Sequence, residues 1–367
     1  MTSDLASTNP GIEIRPGVWQ NDFQRASDFL QALHPLSGYW PADESWIFRG
    51  HADAEWPLLP AAHRAKPWEP FTSIHATSFD PTTAKDMTRV RRELQLVREF
   101  FSAVDASGLS VADFRHIEAI LSPNQKPSGT GKQYWPDPEL VPILALAQHY
   151  GLPTRLLDWS RLGRLAAYFA ALPLAEEACL NLAVWALETS VPELRWVGDQ
   201  AKWRTGTAPR SSNPNLHAQS RLFTYCHGFS DRLRPLDELV SESLQNFMGA
   251  TKQTGARPCV MRKLVLPREA AKDLMRLLHV DGVSGLTMFP GYAGAARHVQ
   301  ERLWSGMTNP PPAADRCSTR IEVPAGVPAA TCPWARRRRS PLFSRSGTSG
   351  SNRRPQSLGS RRRRERE

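Results

Sequence analysis

The sequence predicts an α+β domain whose mixed central sheet is flanked by helices, and three observations predict it. Short runs rich in branched and aromatic residues, WIFRG, TRLLDW, NLAVWALE, RPCVMRKLVL and VSGLTMF, read as strands bounded by turn-forming residues. Between them lie segments whose apolar residues return every three or four positions, the period of a helix with one buried face. The chain has 367 residues, 41% of them hydrophobic, which is enough to bury a sizeable core under both kinds of element.

In chain order, VWQNDFQRASDFLQAL places Phe23, Phe29, Leu30 and Leu33 at helical spacing behind a candidate Asp22 cap. SWIFRG follows as a strand carrying Arg49 near its end and closed by Gly50, and a turn and a proline-rich apolar segment come next. Residues 83 to 104 put Met87, Val90, Leu94, Val97, Phe100 and Phe101 on one stripe, which predicts a long amphipathic helix with Arg and Glu opposite. VADFRHIEAIL is a second helix. The polar loop after it contains SGTGK, which lacks the GxxxxGK[ST] spacing and a preceding strand, so a phosphate loop is not predicted there.

ELVPILALAQHYG then reads as a helix through Leu140, Ile143, Leu144 and Ala147, stopped by Gly151 and Pro153. TRLLDW is a short buried strand and RLGRLAAYFAAL a helix. The remaining strands alternate with or precede helices at LDELVSESLQNFM, EAAKDLMRLL and AARHVQERLW.

The net charge of +10 suggests nucleic acid until it is located along the chain. From Asn309 onward there are fourteen arginines, no lysine and four acids, so this segment carries the whole excess and residues 1 to 308 are neutral overall. Pro, Ser, Gly and Arg displace regularly spaced hydrophobics there, a composition that cannot offset the entropy of ordering. The expected organisation is a lead-in over 1–24, one domain over 25–308, and a disordered tail over 309–367. The tail's runs Arg336 to Arg339 and Arg361 to Arg364 could hold a phosphate backbone, or the tail is an extension without a role.

The five cysteines, Cys179, Cys226, Cys259, Cys317 and Cys332, form no CxxC pair and have no histidine at zinc-finger spacing, so neither a disulfide framework nor a metal site is expected. No apolar run is long enough to cross a membrane, and the first residues lack the pattern of a secretion signal. A soluble cytoplasmic protein is the expectation.

The chemistry-bearing stretch is AQHYGLPTRLLDWS, residues 147 to 160. Strand alternation puts Thr154, Leu156 and Asp158 on one face and Arg155, Leu157 and Trp159 on the other, so Arg155 and Asp158 need separate partners. Arg49 is the first candidate for Asp158. One sheet edge could gather Arg49, Gln148, His149, Arg155 and Asp158. Two readings stay open: an internal scaffold in which arginine forks satisfy carboxylates and carbonyls, or a cleft in which guanidinium groups grip a phosphate-bearing ligand with His149 available for proton transfer. Trp46, Trp56, Trp159 and Trp185 read as core or pocket wall, and His217 as a turn or core residue. No nucleophile elbow or HExxH motif occurs.

WIFRG at 46–50, LAQHYGLPTRLLDWS with AAYFA at 146–170, and AQSRLFT at 218–224 together resemble the FRG domain, a bacterial family named for its Phe-Arg-Gly motif. A fourth block at 263–299 resembles the end of the same domain, so the likeness spans roughly residues 25 to 305. It departs from the family pattern at Ser220 and Arg221. The resemblance implies a domain and brings no catalytic residues with it.

The order of Arg49, then DWS with AAYFA, then Gln219 is similar to that of mono-ADP-ribosyltransferases, and that likeness implies NAD. Ser160 is the only remnant of their Ser-Thr-Ser segment, and Gln219 stands where they carry a carboxylate. The candidate site is therefore His149, Asp158 and Gln219 for chemistry, and Arg49, Gln148, Arg155 and Ser160 for ligand binding. The competing expectation is a noncatalytic interaction module whose basic tail contacts nucleic acid.

Overall fold

The computed structural model describes residues 11–41, 45–64, 88–111, 113–122, 135–174, 179–190, 202–206, 221–227, 234–251 and 258–307. The chain divides into two units, Met1–Pro310 and Pro311–Glu367. All of the second lies outside the described residues, and with it the expected tail.

Eight strands form one sheet: β1 (Ile12–Arg15), β2 (Val18–Asp22), β3 (Trp46–His51), β4 (Leu157–Ser160), β5 (Asn181–Glu188), β6 (Lys202–Gly206), β7 (Arg221–His227) and β8 (Met261–Pro267). Their order is β1-β2-β8-β5-β3-β4-β7-β6. The β2–β8 pair is parallel and the other pairs are antiparallel, so the sheet is mixed as the sequence predicts. The helices are α1 (Ala26–Ala32), α2 (Thr88–Ala106), α3 (Phe114–Leu121), α4 (Val141–His149), α5 (Gly163–Ala171), α6 (Leu236–Thr251), α7 (Ala271–Val280), α8 (Gly285–Met288) and α9 (Tyr292–Trp304).

Alternation along the strands sorts the core. Trp46 and Phe48 of β3, Leu182, Val184 and Ala186 of β5, and Leu264 and Leu266 of β8 pack beneath α1, α5 and α7. Ile47, Leu157, Trp159, Trp185, Leu187 and Leu222 pack with Leu236, Val240 and Leu244 of α6. A third cluster joins α2, α3 and α4 to Leu156, Phe223 and Tyr225. β3 and β4 are thus interior strands covered by core.

Three expectations are corrected. VSGLTMF is not a strand: Ser284 and Thr287 form a reciprocal capping box that opens α8. Asp22 does not cap the first helix, because it lies in β2 opposite Val265 of β8. VWQND consequently forms a strand, and α1 begins later, after Arg25. The helix stop at Gly151 is as expected, with a φ of 90° at that glycine. Leu152 N–H bonds the Ala147 carbonyl and Gly151 N–H the Gln148 carbonyl, both at 3.0 Å, closing the end of α4.

Candidate functional site

Although β3 and β4 are neighbours, they share a single paired position, Phe48↔Ser160. Counted from that pair, Asp158 points to the same side of the pleat as Phe48, and Arg49 points to the other. Such side chains cannot meet across a continuous ladder. Here the strands part after one pair, and the Arg49 guanidinium takes the gap. Its Nη1 donates to the Asp158 backbone carbonyl at 2.9 Å and to the Asp158 carboxylate. Its Nε donates to His51 Nε2 at 3.1 Å, and its Nη2 donates to none of the described residues.

His51 locks that geometry from behind. An arginine Nε–H can only donate, so His51 Nε2 is the bare nitrogen, and Nδ1 carries the proton it gives to the Trp56 carbonyl at 3.2 Å. Burial, and then the nearby charges of Arg49 and Arg64, hold the His51 pKa well below the usual histidine range, so the ring is neutral. Arg64 donates to the Leu59 carbonyl through Nε at 2.8 Å and Nη2 at 2.6 Å. Its pKa is pushed down to about 10 by burial and by Arg49, which leaves it charged at neutral pH.

A cleft of ≈ 360 Å³ opens beside this cluster, lined by Arg49, Asp158, Ser160 and Trp56 with Phe48, Gly50, Ala52, Trp159, Ala166, Phe169, Leu172, Pro173 and Leu174. That volume falls in the range of small-molecule sites, roughly 300–1,000 Å³. The polar groups are reachable, since the side chains of Arg49 and Asp158 are 15% and 33% exposed and Trp56 is 39% exposed. Ser160 is buried, with its hydroxyl oxygen accepting from Leu162 N–H at 3.1 Å.

The three residues Phe48, Arg49 and Gly50 divide the work. Phe48 is 6% exposed in the core. Gly50 lets α5 approach β3, because a Cβ there would sit 2.0 Å from the Ala166 carbonyl oxygen and 2.7 Å from Ala170 N. The small residues of AAYFAA are the other half of that fit, and they bring Phe169 to the cleft wall. Arg49 alone of the three is free to face a ligand.

Arg155 does not belong to the cleft, and the expectation that it grips a ligand is corrected. It precedes β4, is wholly buried, and forks onto Glu93 of α2, with Nε–Oε2 at 2.7 Å and Nη2–Oε1 at 2.8 Å. Its Nη1 donates to the Trp135 carbonyl at 3.3 Å, and Trp135 Nε1 donates to Glu93 Oε2 at 2.9 Å. His63 Nε2 lies 3.8 Å from Glu93 Oε1. A charge enclosed in this way is stable only because its partner and hydrogen bonds are complete. This is the scaffold reading, realised for one arginine.

Gln148 and His149 also stand apart from the cleft lining. The Gln148 side-chain oxygen accepts from the buried Thr154 hydroxyl, and the His149 ring packs edge-on against Tyr150 at 5.1 Å. The expected gathering of five polar residues at one edge is therefore reduced to Arg49 and Asp158. Gln219 and His217 lie outside the described residues, as does the SGTGK loop.

Trp56, read from the sequence as core or pocket wall, lines the cleft, but sequence reasoning missed His51 and Arg64, although HADAEWPLLPAAHR follows the arginine directly and its two histidines and arginine were available to read. It also missed Glu93, which had a visible signal. Glu93 stands three residues after Val90 and four before Val97, inside the apolar stripe of α2 rather than opposite it.

Among the described residues no helix is long and apolar enough to cross a membrane. No curated protein and no solved structure matches the chain. The family model of the FRG domain matches residues 44–178, a span holding β3, its Phe48-Arg49-Gly50, α4, β4 with its Asp158, and α5. With the cleft built from those same elements, the chain carries an FRG domain.

Proposed function

We propose that the cleft between β3, β4 and α5 binds a small phosphate-bearing ligand of nucleotide type. The observation that carries this reading is Arg49: three contacts fix its plane, one arm is left without a partner among the described residues, and it lines a cleft of ligand size. A guanidinium held in this way presents a preset fork to phosphate oxygens at little ordering cost. The Asp158 carboxylate suits sugar hydroxyls, and Trp56 with Phe169 offers flat walls to a base. NAD is a specific candidate, supported by the adjacency of Arg49, the DWS strand and the AAYFA helix. Asp158, the only acid among the described residues that line the cleft, is engaged by Arg49. The reading is therefore of binding first, with group transfer as its extension. Cys179 and Cys226, in no disulfide among the described residues, fit the expected cytoplasmic setting.

Thermal-shift measurements on the full chain with ATP, ADP-ribose, NAD and inorganic phosphate test it. A ligand at 100 times its Kd stabilises by about 2.7 kcal/mol, a readily measured rise in Tm. Arg49→Lys keeps the charge, loses the fork and removes that rise. No response to any of the four compounds, or an equal response in Arg49→Lys, rejects the reading.

A second reading is favoured by the charge map, in which residues 309 to 367 carry the whole net +10. Under it the domain is an interaction module whose basic segment contacts nucleic acid. Deleting residues 309 to 367 then abolishes salt-sensitive binding to duplex DNA or RNA; unchanged binding rejects it.

A further inference from the structure

Far from the cleft residues in sequence, α7 and α9 bring three metal-ligating side chains together. One nitrogen each of His279 and His298 and one carboxylate oxygen of Glu301 all lie within 4.8 Å of one another. The two imidazole rings stack with centroids 4.9 Å apart at 17° between planes. His298 and Glu301 stand one helical turn apart in HVQE, so both project from the same side of α9 toward His279.

We propose that His279, His298 and Glu301 form a binding site for one divalent transition-metal ion, with Zn²⁺ the best match to two imidazoles and a carboxylate. Three such ligands with a fourth position open are a recurrent zinc environment. His279 Nε2 and Glu301 Oε2 are 3.1 Å apart. In a tetrahedral site with metal–ligand bonds of about 2.0–2.2 Å, neighbouring ligand atoms sit about 3.3 Å apart, so this edge is already near its bound length. An ion entering there displaces the proton that the two groups share.

The surroundings orient the carboxylate as a ligand. Tyr168 O–H donates to Glu301 Oε1, and Gly285 N–H donates to Oε2 at 2.9 Å. Such outer contacts typically hold metal-bound carboxylates in place. Glu301 is 2% exposed, and its acid is held below the ordinary carboxylate range despite burial, by the hydrogen bonds from His279, Tyr168 and Gly285.

A second observation points to a missing partner. His298 Nδ1 is sealed from solvent with no hydrogen-bond partner among the described residues. A stacked, half-buried imidazole with one sealed and unsatisfied nitrogen beside a buried carboxylate is a costly arrangement for packing alone and a useful one for an ion. Sequence spacing alone gave no hint, because His279 lies nineteen positions before His298 outside any HExxH pattern.

The test uses the untagged full chain stripped with EDTA, titrated with Co²⁺ in visible absorption and with Zn²⁺ by calorimetry. One ion per chain is expected, with the intense d–d bands of four- or five-coordinate cobalt. His298→Ala should weaken binding by at least about tenfold, no less than the loss of an outer-shell contact does. His279→Gln, which keeps a donor to Glu301 and so preserves the fold, should do the same. Absence of stoichiometric binding overturns the proposal. So does binding that is unchanged in both variants, or a sulfur-to-cobalt charge-transfer band, since either would place the ion on cysteines elsewhere.

Discussion

The Arg49 guanidinium bonds both the carboxylate and the backbone carbonyl of Asp158, taking the place of ladder bonds where β3 and β4 part. The pair therefore does two things at once: it closes the sheet and leaves an arginine at the cleft. Asp158→Asn separates them. The amide keeps the shape and removes the charge, and a partly exposed pair of this kind contributes at most about 1 kcal/mol. The expected outcome is a small fall in Tm with a larger stabilisation by inorganic phosphate than in the native chain, because Arg49 is less neutralised. A smaller or identical phosphate response would make the pair purely structural.

Gly50→Ala addresses the third residue of the motif. The added methyl meets the backbone of α5 at Ala166 and Ala170, neither of which can rotate away. Overpacking usually costs about 1–3 kcal/mol, and contact with backbone belongs at or above the top of that range. Urea unfolding should show a loss of at least about 3 kcal/mol. A stable Gly50→Ala protein would mean that α5 does not sit where described.

Arg155→Leu leaves the enclosed Glu93 carboxyl without its partner, which typically costs about 3–5 kcal/mol. Arg155→Lys should also destabilise, since an ammonium cannot satisfy both carboxylate oxygens and the Trp135 carbonyl in one plane. The double change Glu93→Leu with Arg155→Leu should recover most of the loss, because the desolvation of both charges disappears together. A double-mutant cycle in urea measures this, and additive losses would contradict the pairing.

His51 predicts a direction with pH. Its folded pKa lies below the ordinary 6.5, so under acidic conditions the unfolded chain binds a proton that the folded chain refuses. Stability is then lost as pH falls from 7 toward 5, by up to about 1.4 kcal/mol per pH unit for this one group, and is regained as pH rises. His298, also held low, adds to the same sign. His51→Gln, whose amide oxygen still accepts from Arg49, should flatten the slope of unfolding free energy against pH. An unaltered slope would show that His51 titrates normally.

The sequence by itself determined the α+β class, the family likeness carried by FRG and QHYGLPTRLLDWS, and the pairing of Arg49 with Asp158. These are legible because period, turn residues and strand alternation are local properties. Only the tertiary structure decided which polar residues face solvent. Arg155 and Arg49 look alike in the sequence. One is enclosed because α2 carries Glu93 on its buried stripe to meet it, and the other reaches a cleft because two strands separate beside it. His51, Arg64 and the His279–His298–Glu301 cluster were hidden for the same reason: their meaning comes from neighbours many residues away, brought together by packing that no local pattern encodes.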